Sequence, residues 1–271
     1  MTSEERDTSQ YDKVYGRFKD DIYGAIRRET FGEDIGQNSW LLADEQRAFC
    51  KLLALGRASH LLEVASGSGG PALFTAATIG CQVTGVDIHE AGVAAGNEAA
   101  RERGLGELVR FVHADARERL LFHDGMFDAL ICIDAMNHLF DRTPVLREWH
   151  RVVRSGGRIL FTDPITITGQ LRREEMTLRS VGIGEFVFTP PGVNERLMRE
   201  AGFEDIRVED FTGNSERIAA AWYAARHARA ADLDQLEGAV HNASTQKFLE
   251  TAGRLVRERR LSRFAFIARR P

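Results

Sequence analysis

The stretch LLEVASGSGGPALF, residues 61–74, constrains the fold more than any other part of this 271-residue sequence. An apolar run with one acid, Glu63, leads into three glycines within residues 67–70 and then through Pro71 into a second apolar run. Glycine suits a tight turn, and proline is favoured in the first turn of a helix. The pattern predicts a buried strand, a glycine corner and a helix.

Apolar runs of strand length alternate with helical patterns along most of the chain. The predicted strands are 60–65, 81–88, 108–115, 127–134 and 158–163, and the predicted helices are 43–55, 71–80, 89–104, 144–157 and 193–202. This alternation indicates a parallel sheet covered on both faces, and right-handed crossovers make it a doubly wound α/β fold. Two closing strands, 203–211 and 262–270, indicate an antiparallel pair at the sheet edge, with a helical cap inserted at about 213–260.

The formal net charge is −4, which argues against an extended nucleic-acid footprint because such a footprint needs a basic surface. Six arginines near the C-terminus are interpreted as a solvated face, since Glu258 interrupts them. They are Arg257, Arg259, Arg260, Arg263, Arg269 and Arg270.

The three cysteines, Cys50, Cys81 and Cys132, lie far apart and form no CxxC pair. They indicate neither a disulfide framework nor a zinc ribbon, and each is predicted to be a buried free thiol. The N-terminus is polar, and no apolar run reaches the length of about 18 residues that a membrane span needs. These features predict a cytoplasmic protein with no membrane partner.

The glycine corner predicts a site for an extended polar ligand, because glycine lets a ligand approach the backbone. Gly67, Gly69 and Ala72 form a G-x-G-x-x-A pattern, which also fits a dinucleotide site. Glu63 lies four residues before Gly67. A pyrophosphate disfavours a carboxylate at that place, whereas a ligand with an ammonium and a sulfonium group favours one.

Three further acids end successive predicted strands. Asp87 could accept both hydroxyl groups of a ribose, and Asp115 could accept from an exocyclic adenine amine. Asp134 ends the fourth strand. Together with Glu63 they would form an acidic rim at the carboxyl edge of the sheet, where open α/β folds bind their ligands.

The segments EVASGSGG, VTGVDI, VHADA, FDALICIDAMNHL and LREWHRVVRSGGRILFTD resemble the motifs of the class I S-adenosylmethionine-dependent methyltransferases of the small-molecule type. The resemblance covers about residues 40–165 and implies the strand order 3-2-1-4-5-7-6, with strand 7 antiparallel. It also implies an N-terminal helical lid at 1–40 and a methyltransferase domain at 41–271. S-adenosylmethionine is the implied cofactor, and S-adenosylhomocysteine is its product.

By this resemblance, Glu63, Ala65 and Gly67 flank the methionine part, Asp87 binds the ribose, and Ile88 packs on the adenine. The full set of implied cofactor residues is Glu63, Ala65, Ser66, Gly67, Gly69, Asp87, Ile88, Asp115, Ala116, Ile133 and Asp134. Family members often carry glycine where this chain has Ala65. Alanine is expected to be tolerated there if its backbone stays in the β region.

Methyl transfer is a single in-line displacement that requires alignment, exclusion of water and, for some acceptors, removal of a proton. It requires no metal, and the histidines of this chain lack metal-ligand spacing. His138, in DAMNHLFD, is the candidate base. Its alternative role is to cap or pack the helix that follows.

The acceptor pocket is expected to come from segments outside the sheet. Its candidate residues are Tyr11, Tyr15, Gln37, Asn38, Ser39, Trp40, Phe186 and Phe188. The two tyrosines could instead form a core stripe, and residues 37–40 could be a plain helix entry. Aromatic walls with a carboxylate would suit an amine, through cation–π contact, and would equally suit a phenol or a sugar.

The leading hypothesis is a methyltransferase that acts on a nitrogen or oxygen atom of a small molecule, as a monomer or homodimer. A Rossmann-type NAD(P)-dependent oxidoreductase is an alternative, although Glu63 and the closing strand pair speak against it. Macromolecule methyltransferases that modify amino groups of nucleic acids carry N/D-P-P-Y/F after the fourth strand, where this chain reads DAMN. A non-catalytic cofactor-binding subunit is the remaining alternative.

Overall fold

A computed structural model of the protein describes residues 20–180 and 187–271. Three residues that the sequence assigns to the acceptor pocket, Tyr11, Tyr15 and Phe186, lie outside the described residues.

Seven strands and ten α-helices make up the described structure. The strands are β1 His60–Val64, β2 Gln82–Asp87, β3 Val109–His113, β4 Phe127–Cys132, β5 Val153–Ile167, β6 Glu204–Asp210 and β7 Leu261–Arg269. The helices are α1 Asp21–Phe31, α2 Ala43–Leu52, α3 Gly70–Ile79, α4 Glu90–Glu102, α5 Arg142–Val152, α6 Arg173–Ser180, α7 Val193–Glu200, α8 Thr212–His227, α9 Ala230–Glu237 and α10 Ala239–Arg257. A short 3₁₀ turn, Met136–His138, follows β4.

All seven strands form one sheet in the order β3-β2-β1-β4-β5-β7-β6. The strands from β3 to β5 pair in parallel, whereas β7 runs antiparallel to both β5 and β6. The predicted strand order and the antiparallel seventh strand are therefore confirmed. The carboxyl ends of β1, β2, β3 and β4 meet at one edge, which is the edge that carries the predicted site.

Apolar side chains on both faces explain why the parallel strands read as continuous hydrophobic runs. Leu61 and Leu62 are fully buried, yet they belong to two separate core clusters because consecutive strand residues point to opposite faces. Phe49 of α2 packs in the cluster of Leu61, and Trp149 of α5 packs in that of Leu62. The sheet is thus a central layer between helices.

The double glycine at 156–157 does not end a helix, contrary to the prediction of a helix over 144–157. Helix α5 ends at Val152, and β5 begins at Val153. A Cβ atom on Gly157 would lie 2.6 Å from a methyl group of Val153 and 2.7 Å from the carbonyl oxygen of Asp128. A side chain at residue 157 would therefore not fit at the start of β5. Over residues 153–157, pairing in the sheet outweighs the helical sequence pattern.

Arg263 corrects the interpretation of the C-terminal arginines as a solvated face, because it is fully buried in β7. The three cysteines are buried free thiols, as predicted. Across residues 20–180 and 187–271, no helix combines the length and the apolar character that crossing a bilayer would take.

Candidate active site

The corner after β1 turns through two left-handed residues before the N-cap of α3. Ala65 has a φ of 56° and Gly67 a φ of 55°. The condition under which alanine is expected to be tolerated at residue 65, a backbone in the β region, is therefore not met. A left-handed backbone costs a residue with a Cβ atom roughly 1–2 kcal/mol, so Ala65 is strained where glycine would not be.

Other parts of the protein approach Gly69 and Gly70 so closely that neither position has room for a side chain. A Cβ atom on Gly69 would lie 2.2 Å from the ring of Phe111 in β3, and one on Gly70 would lie 2.2 Å from the carbonyl oxygen of Gly36. The ring of Phe111 also fills the space beside Gly85 of β2, where a Cβ atom would lie 2.4 Å from it. Internal packing thus accounts for two of the three corner glycines, and a role of Gly69 toward a ligand stays a prediction.

Asp87, at the end of β2, binds the corner directly. Its Oδ2 accepts a hydrogen bond from the backbone N–H of Gly67 at 2.7 Å, and its Oδ1 accepts one from the N–H of His89 at 2.9 Å. Each carboxylate oxygen can accept a second hydrogen bond. The carboxylate therefore fixes the corner and keeps acceptor capacity for a ligand.

Glu63 lies in β1 behind the corner, and only 2% of it is exposed. Its Oε2, like the Oγ of Ser66, has no hydrogen-bond partner among the residues that the structure describes. Burial, and secondly the charge of Asp87, raise the pKa of Glu63 to about 8. A buried acid with an unmatched oxygen is a place where a cationic group would be stabilised.

The remaining residues of the predicted adenosine site lie along the ends of β2, β3 and β4. The side chain of Ile88 is 40% exposed, which is unusual for a large apolar residue beside a sheet, whereas Ile133 is nearly buried. Ala116 packs at the edge of the core. Asp115 forms an ion pair with Arg117, whose Nε lies 2.8 Å from its Oδ1. Its carboxylate is thus already engaged by this arginine.

Asp134, just after β4, has a φ of 52° and a carboxylate committed to protein contacts. Its Oδ1 accepts hydrogen bonds from Nε of Arg263 at 2.8 Å and from Oγ1 of Thr162 at 2.7 Å. Its Oδ2 accepts one from the backbone N–H of Trp40 at 2.9 Å. A role of Asp134 in the acidic rim toward the cofactor stays a prediction, and its carboxylate also holds segment 36–42 through the N–H of Trp40.

Segment 36–42 contacts both the corner, where the carbonyl oxygen of Gly36 approaches Gly70, and Asp134 after β4, which binds the N–H of Trp40. The amide of Gln37 is used within its own loop, since Oε1 accepts from the N–H of Ile35 and Nε2 donates to the carbonyl oxygen of Glu33. Asn38 is exposed and Ser39 half-buried. Asn38 and Ser39 are therefore more accessible than Gln37, and the acceptor role of all three stays a prediction.

The ring of Trp40 packs against the helical insertion between β6 and β7. Its centroid lies 5.9 Å from that of Trp222 in α8 and 6.3 Å from that of Phe248 in α10. Aromatic side chains from three distant segments thus meet at Trp40, whose backbone N–H binds Asp134.

His138 ends the 3₁₀ turn after β4 and is half-buried, with its backbone N–H donating to the carbonyl oxygen of Ala135 at 2.9 Å. The neighbouring Asn137 is 1% exposed, and its Oδ1 lacks a partner in the described part of the chain. The carbonyl oxygen of Asn137 accepts from the N–H of Val187 at 3.0 Å. Phe188, next to Val187, lines a cavity of about 210 Å³.

Sequence reasoning missed Asn137, Glu45 and Arg263 as residues of this edge. A signal existed for Arg263, because it alternates in phase with Ala265 and Ile267, both of which face the core. Glu45 lies three residues after Leu42, and its Oε2 accepts from the N–H of Leu42 at 2.9 Å. This is the glutamate half of a capping box, because Leu42 has no side-chain oxygen for the other half. The alternation along β7 indicates that Arg263 is buried, but no local pattern marks Arg263 or Glu45 as part of a functional site.

Comparison with known proteins agrees with this geometry. A family model described as a methyltransferase domain matches residues 62–161. The sarcosine/dimethylglycine N-methyltransferase of Halorhodospira halochloris is 31% identical over 202 residues, which cover 72% of this chain and 67% of that protein. The 27-O-demethylrifamycin SV methyltransferase of Amycolatopsis mediterranei is 28% identical over 204 residues, which cover 70% of this chain and 74% of that protein.

Among solved structures, a phosphoethanolamine N-methyltransferase of Haemonchus contortus, in complex with phosphomonomethylethanolamine and S-adenosylhomocysteine, superposes with a TM-score of 0.78 at 20% identity. The match covers 97% of this chain and 60% of that one, and it shows the shared fold. Within the described residues, no group of three or more histidines, cysteines or acids could hold a metal ion. The strand order, the glycine corner with its acids and the sequence relatives agree: the chain belongs to the class I S-adenosylmethionine-dependent methyltransferases.

Proposed function

We propose that this chain methylates a nitrogen or oxygen atom of a small molecule at the carboxyl edge between β1 and β4. The observation that carries the site assignment is the buried Glu63 carboxyl, whose Oε2 has no hydrogen-bond partner among the described residues, behind a corner that Asp87 fixes through the Gly67 N–H. In a Rossmann-type site, a second acid at this place would repel the pyrophosphate of a dinucleotide.

The described residues fit S-adenosylmethionine, which supplies a methyl group already activated on a sulfonium when it is bound. Glu63 would hold the cationic end, and Asp87 would accept from the ribose hydroxyl groups with its remaining lone pairs. The exposed side chain of Ile88 offers apolar surface to the adenine. Ser66 brings to the same corner a hydroxyl oxygen that has no hydrogen-bond partner within residues 20–180 and 187–271.

The chain's further task is to exclude water and to align the acceptor. The aromatic contacts of Trp40 with Trp222 and Phe248, together with the hydrogen bond from its N–H to Asp134, would close the edge beside Asp134. We assign the acceptor to the space under this cover, within reach of Asn38 and Ser39. Tyr11, Tyr15, Phe186 and Phe188 remain predicted acceptor residues.

His138 would take the proton of an acceptor that must lose one, because a histidine can act as a base near neutral pH. Its place directly after β4 supports this role, and the buried Asn137 beside it has a side-chain oxygen without a hydrogen-bond partner in the part of the chain that the structure describes. The acceptor is proposed to be a small molecule and not a nucleic acid. A cytoplasmic location and a monomeric or homodimeric state are also part of this proposal.

Calorimetric titration of the purified protein with S-adenosylmethionine, S-adenosylhomocysteine and NADH tests the site. We expect micromolar binding of the first two and none of the third. Radiolabelled methyl transfer to a panel of amines, amino acids, phenols and hydroxylated polyketides then tests the acceptor class. Binding of NADH alone would overturn the proposal, and so would the absence of transfer to every acceptor of this panel.

A further inference from the structure

Arg263 is a fully buried cation that lies between two acids. Its Nε donates to Oδ1 of Asp134 at 2.8 Å, and its Nη1 donates to Oε1 of Glu45 at 2.9 Å. The planar guanidinium can hold two carboxylates in fixed directions, which the compact ammonium group of a lysine cannot do. One side chain of β7 therefore sets the positions of both acids.

Both acids in turn bind backbone N–H groups of segment 36–42. Asp134 accepts from the backbone N–H of Trp40 at 2.9 Å, and Glu45 accepts from the N–H of Leu42 at the same distance. Glu45 also accepts from Nδ2 of Asn214, near the start of α8, at 2.7 Å. Segment 36–42 and the helical insertion are thus tied to the tip of β4 through Arg263.

This arrangement is costly for stability alone. The attraction within a buried ion cluster often does not exceed the free energy that its desolvation costs. A protein with apolar side chains of similar volume in place of the ions is often at least as stable. Here Nη2 of Arg263 has no hydrogen-bond partner in the described chain, and Asp134 is held at a φ of 52°. Features of this kind persist where the surrounding structure needs one defined geometry.

We propose that Arg263 is a positioning residue of the methyl-transfer site: it orients Asp134 and locks segment 36–42 and the helical insertion over the tip of β4. The inference rests on the proposed function for the identity of the site that is closed. The closed cover itself is a property of the protein without any ligand, and it can be measured separately.

The test compares Arg263→Lys with Arg142→Lys. Arg142 is a matched control because it is also a buried arginine at this end of the sheet, with Nη1 donating to Asp163 at 2.8 Å. Hydrogen–deuterium exchange of the Trp40 amide is measured in the ligand-free protein. We expect exchange at Trp40 to rise about tenfold or more in Arg263→Lys and to stay within about twofold of wild type in Arg142→Lys, because local opening depends on contacts of that segment alone.

The release of S-adenosylhomocysteine is the second measurement. Its dissociation rate is expected to rise about tenfold in Arg263→Lys and to remain unchanged in the control, since the cover would no longer retain the ligand. Unchanged Trp40 exchange in Arg263→Lys, or an equal rise in both variants, would overturn the inference. If wild-type protein binds no S-adenosylhomocysteine, the proposed function fails while the exchange result still decides the role of Arg263.

Should Arg263→Lys not fold, Glu45→Gln takes its place. This variant removes one of the two charges that hold Arg263 and leaves the side chain nearly the same size. A rise in Trp40 exchange of about threefold or more is then expected, because loss of the charge weakens a charge-assisted hydrogen bond. If exchange at Trp40 does not rise in Glu45→Gln, the inference is overturned as well.

Discussion

Oδ2 of Asp87 accepts a hydrogen bond from the backbone nitrogen of Gly67 at 2.7 Å, and this contact joins the end of β2 to the corner after β1. The same carboxylate also binds the N–H of His89. It therefore shapes the corner itself as well as the proposed ribose site. Loss of the side chain should affect both ligand affinity and stability.

Asp87→Ala is expected to weaken S-adenosylhomocysteine binding by about 1–3 kcal/mol, the typical effect of losing a charged hydrogen-bond partner. Its Tm should fall as well, because two backbone N–H groups lose their acceptor. Isothermal calorimetry and thermal unfolding measure the two effects. Glu90→Gln, at an exposed acid of α4, is the control and should change neither. Unchanged affinity in Asp87→Ala would remove Asp87 from the site.

The raised pKa of Glu63 predicts a pH dependence of stability. In the folded protein its pKa is about 8, against an ordinary value of 4.5. Between these values the folded state binds one more proton than the unfolded chain. The free energy of unfolding therefore falls as pH rises through this window, by at most about 1.4 kcal/mol per pH unit from this group.

Urea unfolding at pH 5 and pH 8 checks this prediction against Glu63→Gln. The variant cannot ionise, so the difference in stability between pH 5 and pH 8 should be smaller than in wild type. Equal differences in the two proteins would contradict the raised pKa.

Binding of S-adenosylmethionine should release protons at pH 7, because a cation beside Glu63 favours the ionised carboxylate. Calorimetry in buffers with different ionisation enthalpies measures this release. We expect up to about one proton in wild type and a clearly smaller release in Glu63→Gln. Equal proton release from both proteins would assign the effect to another group.

Ala65→Gly should stabilise the protein by about 0.5–1 kcal/mol. Relief of the left-handed strain of about 1–2 kcal/mol is partly offset by the greater freedom of glycine in the unfolded chain. Ala54, with a φ of 55°, is a matched site away from the corner. Ala54→Gly should stabilise by a similar amount, and chemical denaturation compares the two. A destabilised Ala65→Gly would show that the alanine methyl contributes packing that outweighs the strain.

Gly69→Ala should destabilise the protein by about 2–4 kcal/mol, through overpacking against Phe111 and a φ of 81° that alanine tolerates poorly. Phe111→Leu provides the partner for a double-mutant cycle. The double variant should lose less stability than the sum of the two single changes, because the smaller side chain makes room for the new methyl group. Additive losses would mean that the ring is not what excludes a side chain at residue 69.

His138→Ala should lower turnover about 10²–10⁴-fold while S-adenosylhomocysteine affinity stays nearly unchanged, as expected for a general base. His150→Ala is the control, since His150 packs against Phe203 at 5.2 Å and lies in α5. The control should lower stability and not turnover. Normal rates in His138→Ala would mean that the acceptor needs no base or uses another one.

The sequence alone determined the alternation of strands and helices and the positions of Glu63 and Asp87 at the carboxyl edge. These features follow from local patterns: strand length, apolar runs, and glycine and proline at turns. The strand order came from the resemblance of the motifs to a known family. An acid in VTGVDI must lie at a strand end if the apolar residues before it form the strand. The motifs that resemble the family lie in the same segments, and this resemblance indicated the identity of the cofactor.

The tertiary structure decided which partners each residue meets. Arg263 lies in a stretch rich in arginines, and only the pairing of β7 beside β5 brings it to Asp134, 129 positions earlier. Phe111 explains Gly69 only once β3 lies beside β2, and the left-handed backbone of Ala65 appears only in the folded corner. Periodicity tells which face of an element is buried, but contacts between distant segments depend on how the elements pack, and no local pattern in the chain carries that information.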